Sequence, residues 1–164
     1  MKKVIWVSLF ILIIVLVGIQ FIPTNHNPNI PAGPDDFLIL NNTPAQIGKM
    51  LKTSCYNCHS EQINYPWYSN FQPAGWLLDK HIREGMAELN FSEFGSLSGR
   101  MKKMKLESMI KQIEQEKMPI PSYTLIHRDA ILSDSERNEL TTYLKTLNYL
   151  KTLKSTYGGG SWID

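Results

Sequence analysis

The 164-residue sequence predicts an all-α domain behind one N-terminal apolar helix, and three observations carry that prediction. Apolar side chains recur at the three- and four-residue spacing of amphipathic helices in Phe71–Leu89, in Ser98–Gln115 and in the stretch after Ser133. No strand-like alternation of useful length interrupts them. The first 22 residues form an almost unbroken apolar run behind Lys2 and Lys3. Length and composition fit one domain of ordinary size with appendages. A formal net charge of +2 and a pI near 8.5 give no basic excess of the kind that nucleic-acid binding needs.

Residues 1–22 read as a signal sequence or a membrane anchor. The nineteen residues Val4 to Ile22 are interrupted only by Ser8, Gly18 and Gln20, and as a helix they span about 28 Å, close to the hydrocarbon thickness of a bilayer. Small residues of a cleavage site are missing around Gly18–Pro23, which favours a retained anchor. Lys2 and Lys3 keep the N-terminus cytoplasmic and place the rest outside. Residues 23–42, with Pro23, Pro28, Pro31 and Pro34 among Asn and Asp, read as an extended tether too polar to join a core, able to hold the domain on the order of 40 Å from the membrane. His26 in this tether is expected to be exposed and not a ligand.

The soluble domain is expected over residues 43–154. Thr43-Pro44-Ala45-Gln46 is a helix start, with Thr43 as cap and Pro44 in the first turn. Phe71–Leu89 enters through Pro73 and lines up Leu78, Ile82, Met86 and Leu89. In Ser98–Gln115, Leu106, Met109, Ile110 and Ile113 form the apolar stripe, with Met101 and Met104 as possible additions. Glu116 to Pro121 breaks that helix and leaves Met118 on a stiff loop, because Pro119 disfavours helical geometry at the residue before it. Ser133 and Glu136 make a capping box for a last helix with Leu140, Tyr143, Leu144, Leu147 and Leu150 on one face. The helix before the cysteines is the expected partner of that face. Residues 155–164, with three glycines, read as a loose tail.

Chemistry concentrates in Cys55-Tyr56-Asn57-Cys58-His59, which holds the only two cysteines of the chain. A C-x-x-C-H run is the attachment sequence of c-type haem: two thiols add to the porphyrin vinyl groups and the adjacent imidazole reaches the iron. Other chemistries use the same letters. A thioredoxin-like dithiol needs a βαβ setting, a zinc site needs two further ligands such as His81 and His127, and a plain disulfide needs only the pair. For the opposite face of a haem iron, Met118 on its proline-stiffened loop leads, with His81, His127 or an open position as alternatives. Trp67, in the aromatic run Asn64 to Asn70, is expected to wall the cofactor pocket.

Helix, C-x-x-C-H, Met-Pro loop and a final Leu132-Ser-Asp-Ser-Glu136 to Tyr143-Leu144 helix resemble the class I cytochromes c. More narrowly, Cys-Tyr-Asn-Cys-His-Ser, Tyr-Pro-Trp-Tyr-Ser-Asn, His81 with Gly85, Leu-Asn-Phe-Ser-Glu-Phe and Lys-Met-Pro resemble the small haem-binding domain common in Bacteroidetes membrane and periplasmic proteins, over about Phe37 to Leu147. The resemblance implies a small cytochrome c-like helical domain around one covalently attached haem c, exported to the periplasmic side of the inner membrane. The function expected from it is single-electron transfer between redox protein partners, not enzymatic turnover. A bis-His or vacant iron serving as a gas or redox sensor, or in peroxidase-type chemistry, is the alternative.

Overall fold

In the computed structural model, which describes the backbone of residues 1–157 and the side chains of residues 1–150, every regular element is helical. The apolar run folds as α1 (Lys2–Gly18) and continues through a 3-10 turn at Ile19–Phe21. No residue of α1 is buried, and the Lys2–Phe21 span has a mean hydropathy of 2.8, so the helix is long and apolar enough to cross a membrane. A helix that is apolar all round and packs on nothing is not a stable arrangement in water.

The proline-rich segment is the main departure from expectation. It does not stand away from the domain. Gln20 and Gln72 exchange two hydrogen bonds: the Gln20 amide donates to the Gln72 carbonyl at 3.0 Å, and the Gln72 backbone N–H donates to Gln20 Oε1 at 2.9 Å. The Gln72 amide also donates to Thr24 Oγ1 at 2.6 Å. Further along, the Asn27 N–H donates to the Tyr65 hydroxyl at 2.9 Å, and the Ile30 N–H to the Glu61 carbonyl at 3.0 Å. His26 is exposed as expected, with its ring stacked on Tyr65 at 4.0 Å.

The segment then enters the core. Asp36 caps α2 (Phe37–Leu40) by accepting from the Leu38 N–H at 2.9 Å. Phe37 is fully buried, edge-on to Phe91 and Phe94 at 5.3 and 4.9 Å. Asp36 is itself buried, which is costly for a carboxylate unless it is hydrogen-bonded. Tyr56 Oη donates to it at 3.1 Å and Gln62 Nε2 at 2.9 Å. Burial, followed by the adjacent Asp36 carboxylate, raises the Tyr56 phenol pKa well above its ordinary value.

α3 (Ala45–Leu51) starts after Pro44, one residue later than expected, and the Thr43 hydroxyl accepts from Tyr143 Oη at 3.0 Å instead of capping it. The helix widens into a π-type stretch over Lys52–Tyr56 and tightens again as α4 (Asn57–His59). After a 3-10 turn at Trp67–Asn70 comes α5 (Ala74–Glu88), whose Leu78 and Ile82 are buried. α6 (Gly99–Glu114) is capped by Ser98, whose hydroxyl accepts from the Met101 N–H at 3.3 Å. Its buried stripe is Leu106, Met109, Ile110 and Ile113, whereas Met101 and Met104 are exposed.

Glu116, at φ 55°, ends that helix, and the Lys117 and Met118 N–H groups both donate back to the Gln112 carbonyl at 3.0 and 3.3 Å. The Met118 backbone is thereby tied to α6. A short α7 (Pro121–Thr124) follows, and then α8 (Asp134–Tyr157). The capping box at its start is reciprocal: the Ser133 N–H donates to Glu136 Oε2 at 2.9 Å, and the Glu136 N–H to Ser133 Oγ at 3.3 Å. α8 runs to Tyr157, beyond the expected tail boundary at 155, and the rest of that tail lies outside the described residues.

α8 packs chiefly along α6, and only secondarily on α3, the partner expected from the sequence. Leu140 and Leu144 are fully buried in one core with Leu106, Ile110 and Ile113 of α6 and Ile47, Met50 and Leu51 of α3. Lys145 pairs with Glu114 at 2.6 Å on the outside of the α6–α8 contact.

Candidate functional site

The end of the α3–α4 run decides the geometry of the site. Cys55 and Cys58 are one helical turn apart, followed at once by His59, so the three side chains project around one helix end. Ser60 leaves the helix in extended conformation and ties back by donating from Oγ to the Tyr56 carbonyl at 2.8 Å. Neither thiol is in a disulfide. Among the described residues, no group of three or more His, Cys, Asp or Glu side chains converges as a site for a bare metal ion.

Beside the motif lie three adjoining cavities. One, of about 310 Å³, is lined by Cys58, His59, His81, Gly85, Met118 and Tyr123 among others. A second, of about 190 Å³, shares His59 and Met118 and adds Cys55, Leu89 and Phe91. A third, of about 310 Å³, shares Cys58, His81 and Tyr123 and opens outward past Trp67, Leu77 and Ile126. Mostly apolar concavities with a few converging polar groups are what a bound cofactor needs.

His59 is fixed. Its Nδ1 lies 3.1 Å from the Leu89 carbonyl, which can only accept, so Nδ1 carries the proton and Nε2 keeps its lone pair. Burial lowers the His59 pKa, opposed in part by the Leu89 and Gly85 carbonyls, so the ring favours its neutral form. Enclosure pushes the Cys55 thiol up to about 12, helped by Cys58, and the Cys58 thiol to about 11. In the closed fold both sulfurs are thus protonated at neutral pH, the opposite of the low-pKa thiol that a redox dithiol requires. The site fits a large apolar group held by two sulfurs and one imidazole nitrogen.

α5 is pressed against this motif. A Cβ on Gly85 would lie 2.5 Å from the Cys58 carbonyl oxygen and 3.2 Å from its carbon, so only glycine permits the crossing. Four residues earlier on the same helix, His81 reaches the first and third cavities. Met118 borders both cavities that include His59. His127 lines none of the three. Its Nε2 shares a 2.8 Å hydrogen bond with the Tyr68 hydroxyl, its ring stacks on Tyr123 at 4.2 Å, and it faces a separate polar cavity. Trp67 stands at the outer mouth of the third cavity, 76% exposed and edge-on to Tyr68 and Phe71.

Three contributors went unnoticed in the sequence. The Leu89 carbonyl carries no side-chain signal at all. Tyr123 is one, and its hydroxyl accepts from the Asn57 amide at 2.8 Å. Ile120, just past the Met-Pro pair, lines two of the cavities.

No curated protein and no solved structure matches the chain. A family model described as a haem-binding domain matches residues 14–146, from the last turn of α1 through the proline-rich segment to most of α8. On that match, and with a site whose sulfurs, imidazole and apolar walls suit the cofactor, the chain belongs to the haem-binding domain family.

Proposed function

We propose that the protein is a membrane-tethered monohaem c-type cytochrome that carries single electrons between redox partners on the outer side of the cytoplasmic membrane. Cys55 and Cys58 would hold the haem through thioether links, and His59 Nε2 and Met118 would bind its iron. When bound, the haem iron takes up and releases one electron between its ferric and ferrous states. The observation that carries this reading is the His59 Nδ1 contact with the Leu89 carbonyl, which leaves Nε2 free beside cavities that Met118 also lines.

The chain's own part is to hold and to enclose. Leu89 fixes the imidazole, the Gln112 carbonyl holds the Met118 backbone, and Ile120, Phe91 and Leu78 keep the surroundings apolar. Ligation by a thioether would favour the ferrous state and raise the potential, and a second imidazole would lower it. His81 supports the second reading, a bis-His iron, because it lines the same cavity as His59. α1, fully exposed and 20 residues long with its turn, would be the retained anchor.

Visible spectra of the full chain from a host competent in haem attachment test this reading. Met118→Ala is expected to remove the weak far-red sulfur-to-iron band of the ferric protein and lower the midpoint potential, with His81→Ala leaving both in place. The reverse pattern selects bis-His ligation. Rapid carbon monoxide binding by the untreated ferrous protein refutes a six-coordinate carrier.

A further inference from the structure

Four large apolar side chains gather at one mouth of the cavity system, and a fifth, Leu125, is the chain neighbour of one of them. Trp67, Phe71, Leu77, Leu125 and Ile126 are between 53% and 76% exposed. Trp67 and Phe71 touch edge to face at 5.9 Å, and Trp67, Leu77 and Ile126 share the mouth of one cavity. Single exposed apolar residues are ordinary, but a contiguous group of this size marks an interaction surface.

The chain that builds this rim carries no charge. There is no Asp, Glu, Lys or Arg between Glu61 and Asp79, and none between Lys117 and Arg128, in a protein that is 20% charged. A protein–protein interface depletes charge at its core but keeps a polar rim. A surface lowered into a lipid interface excludes charge throughout, because each charge brought there must be desolvated.

The position of the rim supplies the rest. Gln20, in the last turn of the apolar helix, holds Gln72 by two hydrogen bonds, and Gln72 in turn donates to Thr24 and to the Ile22 carbonyl. Phe71 is the residue next to Gln72. The end of α1 is therefore latched to the residue beside Phe71, and Phe21 and Ile22, between Gln20 and Thr24 in the chain, are both exposed. Trp and Tyr at the headgroup level are the usual anchors of such contacts.

We propose that the rim of Trp67, Phe71, Leu77, Leu125 and Ile126 is a lipid-facing surface that rests in the interface of the same bilayer that α1 spans. The domain then lies on the membrane with the Trp67 mouth of its cavity system turned toward the lipid. This rests on the reading of α1 as a retained anchor.

The test is photolabelling of the full haem-loaded chain, reconstituted in phosphatidylcholine vesicles doped with a phosphatidylcholine that carries a diazirine on its acyl chain, followed by peptide mapping. Labels are expected in residues 2–22 and also in the peptides holding 67–77 and 125–126, with α6 unlabelled. Phe71→Glu together with Leu125→Glu, both at exposed positions that line none of the three cavities, is expected to abolish rim labelling and leave α1 labelling unchanged. Labels confined to α1 overturn the lipid-facing rim and keep the anchor. A chain without labels in α1 overturns the anchor reading itself. Rim residues cross-linked to a second copy, and shielded from lipid label, assign the surface to self-association and refute the proposal.

Discussion

Replacing Gly85 by alanine tests the contact on which the site is built. The added methyl would sit 2.5 Å from the Cys58 carbonyl oxygen, against the 3.4 Å at which ordinary contact begins, so α5 and the C-x-x-C-H turn must part by up to 0.9 Å, the difference of those two distances. Both partners are backbone, and no flexible side chain can absorb the shift. Overpacking of this kind costs about 1–3 kcal/mol, and for a chain of this size each kcal/mol lowers Tm by about 2–4 °C. Gly48→Ala is the matched control. Its methyl would meet only the Leu38 methyl groups, at 3.9 and 4.0 Å, in the interior of α3, where alanine is favoured over glycine by about 0.5–1 kcal/mol. Thermal melts of the detergent-solubilised full chain, read by circular dichroism, should move in opposite directions for the two variants. Gly85→Ala should also shift the haem bands, because the motif itself moves. A Gly85→Ala protein that melts with the parent and keeps its spectrum would refute the close crossing of α5 over Cys58.

Phe37→Ala separates a core residue from a tether residue: removing a fully buried phenylalanine is expected to cost about 3–5 kcal/mol, whereas a change in an extended tether stays within about 0.5 kcal/mol, and denaturant unfolding of the full chain distinguishes them. Glu136 gives a pH dependence. Its hydrogen bonds to Ser133 hold its pKa below the ordinary 4.5, so the unfolded chain takes up the proton first, and the stabilisation present above 4.5 is lost as pH falls through the folded value. The Tm difference between the parent and Glu136→Gln should therefore shrink on acidification, and a difference constant from pH 7 to 3 argues against the capping box.

Much of this fold could be read one element at a time. Ser133 and Glu136 announced α8 because a cap is a local interaction, and the stripe from Leu106 to Ile113 is buried as its spacing predicted. Five consecutive residues, Cys55 to His59, pointed to haem for a similar reason, and the match to the haem-binding domain family agrees with that cofactor. What resisted reading was pairwise and distant. An amphipathic face on α8 says that a partner is needed, not that α6 supplies most of it. α2 is four residues long, too short for periodicity to register, and the burial of Phe37 depends on Phe91 and Phe94 more than fifty positions away. Leu89 acts through a carbonyl oxygen that every residue possesses. Met101 and Met104 share the sequence character of Met109, but only the last faces the core.

Sixty-three positions separate Cys55 from Met118, and the Tyr143 hydroxyl closes on Thr43 across a hundred. At translation rates of about 5–20 residues per second, that first interval alone lasts roughly 3–13 s. A growing chain thus presents its two sulfurs bare, with ordinary acidity, for seconds before the second half arrives to cover them. Once α6, the loop after it and α8 are in place, enclosure makes the same sulfurs poor nucleophiles. Order of emergence thereby sets how open the two sulfurs are: bare while the second half is still to come, and half-buried beside the cavities once it has folded.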